Sequence, residues 1–137
     1  MAKYRCITGR ILLTLVAVIM LMAGSGKLFG FAPEMVVEQM EGFGLGNDLF
    51  LVGLAEVASA ILLLIPRTSS FGILMTSSFW GGAIVAHLAG DDYAGTAVPI
   101  VLLVLTWAGT VLRYPEMFVS LTGGRPATEA PSLQREV

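Results

Sequence analysis

Leu49–Pro66 reads LFLVGLAEVASAILLLIP, an apolar run with a single carboxylate, Glu56, inside it. A helix of that composition belongs in a bilayer, where a charge at the centre costs about 2.5–3.5 kcal/mol, so Glu56 has to face protein rather than lipid. Two other ionisable residues lie inside apolar runs, Lys27 and His87. The fold has to supply partners for all three.

Composition sets the same environment. Of 137 residues 55% are hydrophobic and 13% charged, and the mean hydropathy is +0.81. A soluble core of this length could not bury so much apolar surface, whereas lipid solvates it on all sides. The net charge of −2 and the scattered basic residues give no electrostatic basis for binding nucleic acid. Cys6, the only cysteine, excludes an internal disulfide and any CxxC motif, so redox chemistry would need another group.

The chain before the organising run opens with MAKYRCITGR, where Lys3, Arg5 and Arg10 precede the apolar segment Ile11–Ala23. Two readings fit: a secretory signal cleaved near Ala23–Gly26, or an uncleaved first helix. Apolar residues resume after Lys27 as LFGF, which extends the span to about 11–31 and favours the uncleaved helix. Residues 32–48 hold Glu34, Glu38, Glu41 and Asp48 and no basic residue. Pro33 suits a first helical turn, the glutamates share a face and Gly42 stops the pattern. This predicts a short surface helix in the first outer loop, acidic face to water, with Val36 and Met40 towards the bundle or lipid.

Pro66 closes the second span, 49–66, and Arg67–Ser70 make a tight connection. The third, 71–89, is rich in small residues that let helices approach closely. After Gly90–Tyr93 a fourth runs over about 94–112, with Pro99 early and Trp107 near its far end as an interfacial aromatic. The predicted fold is all-α: a four-helix transmembrane bundle over 1–121, then a disordered cytoplasmic tail over 122–137.

Lys3, Arg5, Arg10, Arg67, Arg113, Arg125 and Arg135 all fall on one side of such a four-span chain, and the acidic loops on the other. The positive-inside rule then places both termini in the cytoplasm. Lys27 comes near the outer end of the first span, Glu56 roughly 10 Å below that of the second, and His87 one turn inside that of the third. Lys27 shares a helical face with Ala23, Gly24 and Gly30, Glu56 with Gly53, Ser59 and Ala60, and His87 with Trp80, Ala83 and Gly90. Small-residue faces pack against other helices, and Gly26 and Gly30 form a GxxxG pair beside Lys27. The three ionisable residues are thus expected in one polar cluster that opens outward beneath the acidic loop.

Each has a plainer reading. Lys27 by position alone snorkels to the outer headgroups; its functional reading is a partner for Glu56 or an anchor for an anionic or carbonyl group. Glu56 is too short to reach water, and is either a hydrogen-bonded lock between helices or a proton-handling group. His87 reads as a packing histidine before it reads as a ligand. One histidine cannot supply two axial haem ligands, and with one carboxylate it makes a thin metal site. Trp80, Phe79 and Tyr93 could line a pocket for a flat ring, or simply pack and meet lipid. Asp91 and Asp92 read as solvated loop residues, and Thr76, Ser77 and Ser78 as bonded to their own backbone.

A first helix ending GSGKLFG, a second with GLAEVASAILLLIPR, a third ending GGAIVAHL and a fourth with an early proline closing in RYPE together resemble the DoxX-like family of small bacterial membrane proteins, over about residues 8–117. The resemblance implies four transmembrane helices, a plasma (inner) membrane location and a role beside oxidoreductases that pass electrons to quinone. It transfers no catalytic site, although the positions that match the pattern are Lys27, Glu56 and His87. The function expected is an accessory subunit of a quinone-linked oxidoreductase. A quinone, not covalently held, would lie near Lys27, Trp80 and Tyr93, with Glu56 and His87 as the catalytic pair. Beyond the bilayer itself, it implies a partner redox protein or a homo-oligomer. The alternative is a non-enzymatic scaffold or assembly factor.

Overall fold

The computed structural model describes residues 2–121; the tail expected to be disordered, with Arg125 and Arg135, lies outside the described residues. These form α1 (Ala2–Phe29), α2 (Glu34–Gly42), a 3-10 turn (Gly46–Asp48), α3 (Leu49–Leu64), α4 (Ser69–Ala89), α5 (Ala97–Arg113) and α6 (Pro115–Leu121), with no strand among them. Three helical segments, Lys3–Phe29, Gly46–Leu64 and Ser69–Ala89, are long and apolar enough to cross a membrane; α5 is apolar but shorter.

The boundaries follow local chemistry. α1 starts well before the apolar run because each residue added to an existing helix gains a backbone hydrogen bond, and the exposed basic residues cost little there. α3 stops at Leu64 because Ile65 precedes a proline and is pushed to an extended backbone, φ −79° and ψ 118°. Pro99 falls in the first turn of α5, where no intrahelical N–H is needed. α1, α2 and α4 end in the same way: a left-handed residue, Gly30, Gly44 or Asp91, after which the next N–H reaches back to Gly26, Met40 or His87. That is the Schellman helix end, and only at Asp91 does it use a residue other than glycine.

α1 packs on α3 and α5, α3 on α4, and α4 on α5, so the four long helices close a circuit. Leu13, Val16, Ala17 and Met20 of α1 meet Ala60 and Leu63 of α3, Ile73 and Trp80 of α4 and Leu102 of α5 in a thin buried core. Large apolar side chains such as Ile11, Leu15, Met22, Leu54, Leu74, Val85 and Val104 point outward, as they do where lipid is the solvent. Several hydroxyls inside the helices bond their own backbone, as Ser59 does to Ala55 O and Thr106 to Leu102 O.

The close approach of α1 to α3 is made by Gly24 and Gly53, not by the expected Gly26 and Gly30. A Cβ on Gly53 would come within 2.8 Å of Gly24 O, while Gly26 faces Ala32 and Gly30 has nothing near it. Gly30 has already left the helix, with φ +75°. At the other end Gly9 lies against Gly109, and Tyr114 Oη is 3.1 Å from Ser69 Oγ. These contacts place Lys3, Arg5, Arg10, Arg67 and Arg113 at one end of the molecule. Glu34, Glu38, Glu41, Asp48, Asp91 and Asp92 lie at the other.

Candidate functional site

At the acidic end, α1, α3, α4 and α5 diverge around a cavity of about 680 Å³ that α2 and the Phe43–Leu45 return partly cover. Val36, Gln39 and Met40 of α2 contribute to its wall, whereas Glu34, Glu38 and Glu41 are exposed. The lining is apolar apart from a few groups: Lys27, Gln39, Glu56, Ser78 and His87, with the indole of Trp80.

Lys27 Nζ donates to Glu56 Oε2 at 2.7 Å, with side chains 8% and 2% exposed. Lys27 sits in the last turn of α1, where the helix dipole favours a cation. The glycines described above bring the α1 and α3 backbones close enough for the pair to form: a Cβ on Gly53 would also touch Lys27 Cβ.

His87 does not join that pair. Its Nδ1 lies 2.8 Å from Asp92 Oδ2, and its ring meets Phe43 edge-on at 4.9 Å. The end of α4 explains this geometry. Asp92 N donates to His87 O at 2.9 Å, so the turn that caps the helix folds the Asp92 carboxylate back over the imidazole. Asp92 also accepts from Gln39 Nε2 and from Gly95 N, each at 3.0 Å. The His87 hydrogen bond first, then that from Gly95, with Gln39 adding to them, hold the Asp92 carboxyl below the usual carboxylate range against the opposing effect of its burial.

Trp80 is 6% exposed and stands in the cavity wall, edge-on to Phe79 at 5.2 Å. Among the described residues its buried Nε1 has no hydrogen-bond partner, nor has the Thr76 hydroxyl one turn earlier. Thr76 therefore departs from the backbone bonding expected of it, which Ser77 makes to Ile73 O. Tyr93 is 68% exposed and is not part of the cavity lining. Asp92 and Gln39 are the residues that sequence reasoning missed. A sole histidine at a helix end, five residues before an aspartate, was the available signal.

Among the described residues no three His, Cys, Asp or Glu side chains gather in a way that could hold a metal ion. The wall of the cavity carries the Lys27–Glu56 pair and, apart from it, the imidazole of His87.

No curated protein and no solved structure matches the chain. The DoxX-like family model matches residues 11–109, which takes in most of α1, the whole cavity lining and most of α5. On that match, with its long apolar helices, the chain belongs to the DoxX-like family and is an integral membrane protein.

Proposed function

We propose that this protein is a four-helix subunit of the bacterial plasma membrane, with α5 as its fourth span and α2 lying on the outer surface. Its cavity takes a quinone head group on behalf of a quinone-linked oxidoreductase. The single observation that carries the reading is the cavity itself. Lys27, Glu56 and His87, the first two paired with each other and the last backed by Asp92, stand on a largely apolar wall beneath α2. A quinone presents an apolar ring and tail with two carbonyl oxygens, and needs this combination. Its reduction to quinol consumes two electrons and two protons. The electrons come from a partner redox protein, because the chain has no haem, flavin or iron–sulfur motif. Lys27 or His87 hydrogen-bonds a carbonyl oxygen, and Glu56 relays the two protons, taking each one up from water before giving it to a reduced oxygen. The segregation of basic and acidic residues to opposite ends supports termini on the cytoplasmic side.

One observation favours the second reading, a scaffold or assembly factor. The Lys27–Glu56 pair is closed on itself and ties α1 to α3, which a structural lock requires and a binding site does not. Native mass spectrometry of protein taken gently from its own membrane, with organic extraction of what is bound, separates the two. The quinone reading predicts one quinone per chain, lost in Glu56→Gln. Empty protein that brings down a defined partner moves the conclusion to the scaffold.

A further inference from the structure

His87 lines the cavity and meets Asp92 on its Nδ1 side; the Asp92 side chain is 34% exposed and that of His87 12%. An ionised carboxylate has no proton to give, so the 2.8 Å contact requires His87 Nδ1 to be the donor. The ring's second nitrogen then depends on protonation alone. Among the described residues Nε2 makes no hydrogen bond, and it is not one of the buried polar atoms left without a partner. It therefore remains accessible.

The surroundings hold this arrangement from three directions. Gly95 N fixes the other Asp92 oxygen. Gln39 reaches Oδ2 from α2, and Phe43 abuts the ring. Gly95 is also the gap that admits the pair: a Cβ there would overlap both Asp92 Oδ2 and His87 Nδ1. A solvated loop aspartate needs none of these features. Three donors on one carboxylate and a residue without a side chain at the point of contact make a built dyad.

We infer that Asp92 is a positioning residue that holds His87 in the Nδ1–H tautomer, so that Nε2 becomes the atom through which the cavity exchanges protons with the outer water. Neutral His87 takes a proton on Nε2, the Asp92 carboxylate stabilises the resulting imidazolium, and the proton passes to an oxygen of the bound molecule or back to water. The charged groups that bear on His87 are Asp92 from the α4–α5 turn and, lining the same cavity, Lys27 of α1 and Glu56 of α3. The inference rests on the quinone reading for the identity of that molecule, but not for the dyad.

The only histidine in the chain gives an unambiguous probe. Full-length protein labelled with 15N-histidine and held in lipid nanodiscs reports the two ring nitrogens separately. The wild type is expected in the Nδ1–H form. Asp92→Ala should shift the ring towards the Nε2–H form preferred by free imidazole, as should Gly95→Ala. A wild-type ring in the Nε2–H form, or an Asp92→Ala spectrum identical to wild type, overturns the inference. Adding decylbenzoquinone should perturb Nε2 and spare Nδ1. An unchanged Nε2 with the quinone bound, as measured by extraction, overturns the proton-exchange role. Failure of the quinone to bind while the Asp92-dependent tautomer persists overturns the ligand assignment alone and supports the dyad. In native membranes that reduce quinone, Asp92→Ala should lower the rate roughly a hundredfold or more and alter its pH profile.

Discussion

Removing one member of the Lys27–Glu56 pair tests how the membrane helices are held together. The two charges lie 2.7 Å apart with almost no exposure, and stranding one member of such a pair costs about 3–5 kcal/mol. The two single substitutions should nevertheless differ. Lys27→Met leaves Glu56 without its donor on a short side chain in the middle of α3, and should approach the full cost. Glu56→Gln leaves an amide oxygen that can still accept, and Lys27 in the last turn of α1 can swing its ammonium outward. Its cost should be about 1–3 kcal/mol. Lys27→Met combined with Glu56→Leu removes both charges and should return to within about 1 kcal/mol of wild type or exceed it. Equilibrium unfolding in mixed micelles, analysed as a double-mutant cycle, gives all four values. A Lys27→Met protein that loses less than about 1 kcal/mol, or singles that merely add in the double, would refute the pair as a lock and return Lys27 to a snorkelling role.

The close approach of α1 and α3 predicts that Gly53→Leu destabilises by at least about 1–3 kcal/mol, since its Cβ already meets the α1 backbone; a fully tolerated leucine in the same unfolding assay would contradict the packing. Thr76→Val should stabilise by about 1 kcal/mol, because it removes a buried hydroxyl that has no partner; a loss of stability would mean the hydroxyl is bonded. Asp92 sets a pH dependence. Its carboxyl is held below the unfolded value of about 3.9, so its contribution is present above that value and is lost as pH falls through the folded one. Hydrogen exchange of α2 amides should stay protected through mild acid and accelerate only below the ordinary aspartate range. Loss of protection already in mild acid, above the ordinary aspartate range, would contradict the assignment to Asp92.

The apolar runs carried much of the fold. Continuous hydrophobicity marked α3, α4 and α5, and Pro66 marked the α3–α4 boundary, because each is a local property of the chain. The pairing of Lys27 with Glu56 was legible for a related reason: two buried charges of opposite sign at similar depth have few other partners. What escaped is what tertiary geometry decides. Gly26 and Gly30 have the better motif, but the helix has ended by Gly30, so Gly24 makes the contact with Gly53. Asp92 looked like a solvated loop residue because nothing local reveals that the cap of α4 turns it onto His87. Tyr93 looked like an aromatic wall and faces outward instead, since the same turn that brings Asp92 inward directs its neighbour away.

The ion pair between the first two apolar helices also bears on biogenesis. Lys27 and Glu56 are 29 residues apart, separated by the acidic α2 and a glycine-rich return. α1 and α3 can therefore meet as a helical hairpin before α4 has left the ribosome. Entering the bilayer as a hairpin, the two side chains cross as a neutral couple, and neither helix bears the full insertion cost of a lone charge, about 2.5–3.5 kcal/mol. If α1 and α3 insert together, the pair spares each charge from entering lipid alone and sets the register of the two helices before the cavity they border is complete.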